Sequence, residues 1–365
     1  MKRRTLLRTM TGALMSASMT DADAAAQMQP VKLGVDTYSL RAFKWNVSQM
    51  LDFAESHKLD AIQASLVDFE SLESPYLRGL KEKAERLGIQ LEPGFGCICP
   101  LSKGYNAKRQ GEPSKYLQQA IRTSQTLGAK SCRVFVGGAG DRAVRASIAA
   151  LMESSIQLLR GVKSQAVDAG VKLAIENHGD MQARQVRTII EEAGKDFVAS
   201  CLDTGNPVMV AEDPLVSLEV LAPYVVTTHI RDSVVFPHPR GAYAQWVALG
   251  DGTVDYKQLT ARYRELCPSA PMQLEIITGR PPTVVPYLDA EFWKGLPDVP
   301  ASELARYTAL AAKGRPHLGV MIVADAGVDV PPAYRDALKE QQRWDLVRSI
   351  EYAKKTLGVG VRWRS

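Results

Sequence analysis

Four residues stand out for the chemistry their types allow. Glu176 lies in LAIENHGD, Asp203 in SCLDTGNP, His229 in VVTTHIRDS and Glu275 in QLEIITG. Each follows an apolar run with the character of a β-strand, and the four runs succeed one another along the chain. Three carboxylates and one imidazole gathered at one point would repel each other without a cation. Together they carry about −3, since a coordinating histidine stays neutral, and a divalent ion brings this to about −1. Oxygen-rich ligation with a single nitrogen favours Mn2+ or Mg2+, and Co2+ or Zn2+ also suit it. Such a site has room for two substrate oxygens, as in an α-hydroxy ketone or aldehyde.

The chemistry expected there is metal-assisted proton transfer. The ion acts as a Lewis acid on a carbonyl and stabilises an enediolate. A carboxylate removes the proton from the adjacent carbon. Glu176 and Glu275 sit on non-adjacent strands and are the expected acid/base pair. Return of the proton to the opposite face gives epimerisation; return to the neighbouring carbon gives isomerisation. His178 lies two residues beyond Glu176, on the same strand face, and is expected to bind a substrate hydroxyl. Arg231 stands in the same relation to His229.

A repeating fold must position these residues. After residue 30, short apolar runs alternate with amphipathic stretches. Strands are expected at Val31–Val35, Ala61–Leu66, from Ile89, at Cys132–Val136, Val171–Ile175, Phe197–Leu202, Val225–Thr228 and Met272–Ile276. Helices are expected at Val47–His57, Pro75–Leu87, Tyr116–Leu127 and Met152–Ala169. The recurring mark is a helix, a glycine (Gly88, Gly128, Gly170, Gly194), then a strand. Glycine suits the left-handed position that closes a helix. Asp213 before Pro214, and Asp255, are expected N-caps. Eight such units predict a parallel (β/α)8 TIM barrel spanning 31–365. An open doubly wound sheet is the competing fold, but no G-x-G-x-x-G follows the first strand. A long insertion, 280–332, separates strand eight from the last helix, which begins near Ala333. It carries Tyr287, Phe292 and Trp293 and a short helix, Ser302–Ala312. It is expected to be a lid or side wall of the pocket, its aromatic rings stacking on a sugar or an aglycone.

At these residues the chain resembles the xylose isomerase-like sugar isomerases and epimerases, from about Lys32 to Leu357. GVDTYSL, with Asp36 and Tyr38, carries the resemblance, as do ENHGD, CLDTGN, LAPYVVTTHIRD, ALGDGTVDY and RSIEYAKKTLG. It implies a metal-dependent barrel acting on a sugar. Glu176, Asp203, His229 and Glu275 would be the metal ligands, with Mn2+ the first choice of ion. Glu176 and Glu275 would be the acid/base pair. Tyr38 joins His178 and Arg231 as an expected substrate contact. Many epimerases of the family have a histidine three residues after the aspartate ligand; here that substrate-binding position is Asn206.

Three other functions use related scaffolds. A lyase would abstract a proton beside the ketone of a 3-keto-glycoside and expel a leaving group by β-elimination. A non-catalytic sugar-binding protein would hold the sugar without turnover. A DNA-repair endonuclease would need a multinuclear cluster, and the chain has only five histidines.

The chain has 365 residues, 45 of them Lys or Arg and 40 Asp or Glu, for a formal charge of +5. It opens with Lys2, Arg3, Arg4 and Arg8, then a mildly apolar stretch, then small residues to Ala26. That order resembles a twin-arginine export signal over 1–26, with periplasmic or exported localisation expected. Its removal takes away four basic and two acidic residues and leaves +3. So small an excess predicts no nucleic-acid partner, and no run is apolar enough for an integral membrane segment. A homo-oligomer is compatible with the sequence. The five cysteines, Cys97, Cys99, Cys132, Cys201 and Cys267, show neither a disulfide framework nor a zinc pattern. Cys132 and Cys201 are expected in the core, and Cys97 and Cys99 near a pocket.

Overall fold

A computed structural model describes residues 30–142, 145–322 and 330–365. Residues 1–26, where an export signal is expected, lie outside the described residues. Eight parallel strands with surrounding helices form the barrel. Six come first: β1 (Leu33–Asp36), β2 (Ala61–Ser65), β3 (Gln90–Cys97), β4 (Ser131–Phe135), β5 (Lys172–Glu176) and β6 (Val198–Asp203). β7 (Val225–His229) follows, and β10 (Met272–Leu274) is the eighth barrel strand. The sheet order is β10-β1-β2-β3-β4-β5-β6-β7. A bridge between Ile230 and Leu274 closes the circle.

Helices α1 (Val47–Ser56), α2 (Ser74–Leu87) and α3 (Pro113–Leu127) cover the first strands. Gly88, Gly128 and Gly170 close their helices in the left-handed region, as expected, but Gly194 has φ 133° and does not. The expected helix Met152–Ala169 is two helices, α4 (Arg145–Arg160) and α5 (Lys163–Ala169), broken at Gly161. Next come α6 (Ala183–Ala193), α7 (Pro214–Leu221) and α8 (Tyr256–Leu266). Asp213 and Asp255 accept from Leu215 N and Gln258 N, so both cap as expected. The core runs between strands and helices and includes Leu33, Ile62, Phe95, Ile175 and Tyr263. Cys132 lies in it, and all five cysteines are buried and free.

A small antiparallel sheet is added to the barrel. β8 (Asp232–His238) and β9 (Gly241–Val247) form a hairpin immediately after β7. Pro237 is tolerated because β8 is an edge strand. β11 (Thr283–Val285), from the long insertion, pairs with β9. The insertion also supplies α9 (Ala301–Lys313), and the chain ends with α10 (Pro332–Lys355). Tyr287, Phe292 and Trp293 pack with Val208, Val235 and Tyr307 in a second apolar cluster. These aromatic rings hold the insertion to the hairpin and do not line the pocket, contrary to expectation. Among the described residues, no helix is long and apolar enough to cross a membrane.

Candidate metal centre and active site

The four residues singled out by type converge. One potential ligand atom from each of Glu176, Asp203, His229 and Glu275 lies within 4.8 Å of all the others, and all four residues are buried. Glu176, Asp203 and His229 are the last residues of β5, β6 and β7, and Glu275 follows β10. Active residues of such barrels come from these strand ends. His229 Nδ1 lies 3.2 Å from Glu176 Oε1, 3.3 Å from Glu275 Oε2 and 3.9 Å from Asp203 Oδ2. The Glu275 backbone N–H donates to Ile230 O at 3.0 Å, which fixes the eighth strand end beside His229.

The other ring nitrogen of His229 faces away from the carboxylates. His229 Nε2 donates to Gln63 Oε1 at 2.6 Å, and Asp36 Oδ2 is 3.5 Å away. This aims the Nδ1 edge of the ring at the cluster. Against the effect of burial, Glu275 and Glu176 raise His229 well above its usual range, so Nδ1 carries a proton whose place a metal ion would take. Asp203 is oriented by the N–H groups of Gly205 and Asn206, which donate to its Oδ1 at 2.6 and 2.7 Å. Asn206 Nδ2 donates to Asp203 Oδ2 at 2.9 Å and to Glu176 Oε1 at 3.3 Å.

The residues fit a divalent ion. His229 Nδ1, Glu176 Oε2 and Glu275 Oε2 are buried and lack hydrogen-bond partners. The two carboxylate oxygens have arginine nitrogens nearby, in ion-pair rather than hydrogen-bond geometry. An orphaned buried polar atom costs roughly 1–3 kcal/mol, and His229 Nδ1 and Glu275 Oε2, 3.3 Å apart beside Glu176 Oε1, favour a bound cation. A metal is not the only positive charge, however. Arg231 contacts Asp203, and its Nη2 lies 2.9 Å from Glu275 Oε2. Arg133 Nε lies 3.0 Å from Glu176 Oε2. The cluster of −3 expected from the four residues alone is therefore offset in part by two buried guanidinium groups.

These charges set the titration. Burial would raise Glu176, but Arg133 and His229 outweigh it and hold the carboxyl well below its usual range. Burial likewise opposes the ionised Glu275, and Arg231 and His229 overcome it, bringing the carboxyl to about 2. For Asp203 burial wins over Arg231, and its pKa rises to about 6.

A cavity of about 590 Å³ opens onto the centre. Tyr38, His178, Asn206, Arg231 and Glu275 all line it. His178 stacks on Phe135 with centroids 4.0 Å apart, and its Nδ1 donates to Gly137 O at 2.8 Å. Its Nε2 is left to accept from a ligand hydroxyl.

A family model described as a xylose isomerase-like TIM barrel matches residues 51–294. This chain belongs to that family. A curated relative from Pectobacterium atrosepticum, a 3-oxo-isoapionate decarboxylase, is 25% identical over 197 residues, 52% of this chain and 62% of its own length. The chain spans about three-fifths of the length of the curated relatives it matches. A D-psicose 3-epimerase solved in the presence of D-fructose superposes with a TM-score of 0.56 at 15% identity, covering 90% of this chain and 99% of that one. The IOLI protein, solved with a zinc atom, superposes with a TM-score of 0.53 at 20% identity, covering 77% and 95%. At these identities the structural likeness is one of fold.

Within this xylose isomerase-like barrel, several contributors to the site lie outside the four motifs. Arg133 and Gln63 are single polar residues inside the apolar runs SCRVF and AIQAS. A buried charge or amide must be partnered, and that was the available signal. Trp246 comes from the unexpected hairpin and gave no such signal. Its ring lies under Arg231, 4.4 Å from the guanidinium carbon to the centroid, and its Nε1 donates to Gly205 O at 2.9 Å. The ALGDGTVDY stretch fastens Arg231 from behind. Tyr256 donates to Arg231 O at 2.7 Å, and Asp232 accepts from Gly250 N and Gly252 N. Arg231 is thus in the turn between β7 and β8, not on a continuing seventh strand. Cys97 and Cys99 do not reach this cavity; Cys97 Sγ faces Val136 O at 2.9 Å. The insertion meets the cavity through its first residues, Arg280, Pro281 and Thr283.

Proposed function

We propose that this chain is a divalent-metal-dependent sugar isomerase or epimerase that moves a proton beside a carbonyl. The convergence of Glu176, Asp203, His229 and Glu275 within 4.8 Å carries the reading. Similarity to a D-psicose 3-epimerase fold supports it. An ion held by these four residues would supply Lewis acidity at the substrate carbonyl and stabilise the charge left by deprotonation. Mn2+ is our first choice for an oxygen-rich set with one nitrogen.

The chain's own groups do the rest. A carboxylate of the Glu176/Glu275 pair takes the proton from the carbon next to the carbonyl, leaving an enediolate. That proton is then given back, by the same glutamate to the neighbouring carbon or, once it has passed to the other glutamate, to the opposite face. Arg133 and Arg231 stabilise both glutamates as anions, the state a base requires. His178 Nε2 accepts from a substrate hydroxyl, and the Tyr38 hydroxyl and Asn206 amide are further partners on the cavity wall. The insertion walls the cavity through Pro281 and Thr283. The basic segment at Arg3-Arg4 favours an exported enzyme.

A lyase outcome is the second reading. The relative named as a 3-oxo-isoapionate decarboxylase cleaves a bond beside a ketone, and the same enolate can expel a leaving group in place of proton return. Incubating Mn2+-loaded protein with ketoses and 3-keto-glycosides in D2O separates these. Deuterium gain without fragmentation supports the isomerase, and fragment release supports the lyase. Glu176→Gln and Glu275→Gln should each abolish the exchange. Exchange at wild-type rates in both variants would sink the assignment.

A further inference from the structure

We infer that the cavity is built for an anionic sugar, one whose carboxylate or phosphate is held by Arg142 with help from Arg109. The inference rests on the sugar-enzyme reading and adds the substrate's charge. Among the described residues, five arginines line the cavity: Arg109, Arg133, Arg142, Arg231 and Arg280. The lining contains one carboxylate, Glu275. Glu176 and Asp203 stand close by, Asp36 acts on Arg133 and Asp180 on Arg142, so the surrounding acids equal the arginines in number, but all except Glu275 lie outside the lining. General basicity does not explain this, because the chain carries 45 basic and 40 acidic residues.

The five guanidinium groups have different employment. Arg133 is committed to Glu176, and Arg231 to Asp203 and Glu275. Arg280 lies over Trp246 at 5.6 Å and donates to the Tyr38 hydroxyl at 3.3 Å. Arg142 makes no ion pair among the described residues, Asp180 acting on it only from beyond ion-pair distance, and its Nε is buried without a hydrogen-bond partner. Its guanidinium carbon rests 5.5 Å from the centroid of Phe292, an apolar support that satisfies none of its N–H groups. Arg109 is exposed at the rim and makes no ion pair among the described residues.

A neutral sugar leaves this arrangement costly. Partly burying a guanidinium sacrifices hydration, and a hydroxyl returns little of it. Carboxylate and phosphate oxygens accept two parallel N–H bonds from the planar fork, which restores it. A divalent ion at the four-residue centre would make the cavity still more positive. The centre would take the carbonyl end of the sugar, and Arg142 the anionic group.

Three probes that differ only at one carbon test this: D-fructose, D-fructuronate and D-fructose 6-phosphate. Binding to the Mn2+-loaded protein is measured by calorimetry at two salt concentrations. At least one anionic probe should bind about 10- to 100-fold more tightly than fructose, with the advantage shrinking at high salt. Whichever anion leads identifies carboxylate or phosphate as the group. Arg142→Gln should remove most of the advantage and leave fructose affinity within about threefold. Arg109→Gln, at an exposed position that the fold does not need, should remove a smaller part. Equal affinity for all three probes, no measurable binding of any, or an anion advantage intact in both variants overturns the inference. Binding rather than turnover is read, so the two claims separate. A protein that prefers an anion but exchanges no proton keeps this inference and loses the isomerase reading.

Discussion

Gln63 offers a sharp test of how the centre is organised, because it touches one ligand and nothing else in the cluster. Its Oε1 accepts from His229 Nε2 at 2.6 Å, and its Nε2 donates to Thr227 Oγ1 at 3.0 Å. Gln63 and His229 are both fully buried. Gln63→Leu keeps the volume and removes the close acceptor, leaving His229 Nε2–H only the more distant Asp36 Oδ2 at 3.5 Å and the ring freer to turn. The cost of losing such a partner is roughly 1–3 kcal/mol. If the loss falls on the metal-bound state, affinity for Mn2+ drops by about 10- to 100-fold. Thr227→Val is the control. It removes the hydroxyl that joins Gln63 to Glu92 but spares the bond to His229, and should change affinity by no more than about threefold. Mn2+ titration by calorimetry and by electron paramagnetic resonance measures both. Circular dichroism confirms that each variant is folded. Wild-type Mn2+ affinity in a folded Gln63→Leu protein would refute the claim that Gln63 sets the aim of His229.

Two stability predictions join the tests given above for proton exchange and for anion preference. Burial raises Glu212 from its ordinary value of 4.5 to about 7, against the opposing hydrogen bonds from Ser217 and the Ala183 N–H. The folded state therefore holds this proton more tightly than the unfolded chain. The stability it contributes is fully present below about pH 4.5 and is lost as pH rises through about 7. Urea denaturation at pH 5 and pH 7.5 should show wild type losing more stability over that interval than Glu212→Gln, and equal losses would contradict it. At Gly252 an added Cβ would lie 1.9 Å from Asp232 Oδ1 and 2.6 Å from Ser233 O. Gly252→Ala should thus lower stability by about 1–3 kcal/mol, read as a fall of several degrees in Tm. An unchanged Tm would mean that the turn behind Arg231 yields freely.

Much of this protein is written in local pattern. Helix-glycine-strand units along the chain announced a barrel because a βα unit buries its apolar faces only by packing against copies of itself. Three of the four marking glycines adopt the left-handed cap the pattern requires. The ligand set was legible for a related reason. Barrel strands are apolar, so Glu176, Asp203, His229 and Glu275 stood out at their ends, and parallel strands of one barrel bring such ends together.

Other features depend on which segments become neighbours. Gln63 meets His229 across 166 positions because closure brings the two side chains together across the barrel interior, and Arg133 meets Glu176 across 43 because register pairs β4 with β5. The hairpin 232–247 was hidden by Pro237 and Pro239, and its partner strand Thr283–Val285 arrives from a distant insertion. The aromatic residues of that insertion had the right chemistry for a sugar, yet they pack on the hairpin, leaving Trp246 and the arginines to form the wall. Residue types and their spacing along one strand are local properties, and the sequence by itself determined them. The charge balance of the cavity and the aim of each ligand are set by long-range pairing, which only the closed barrel and its added sheet decided.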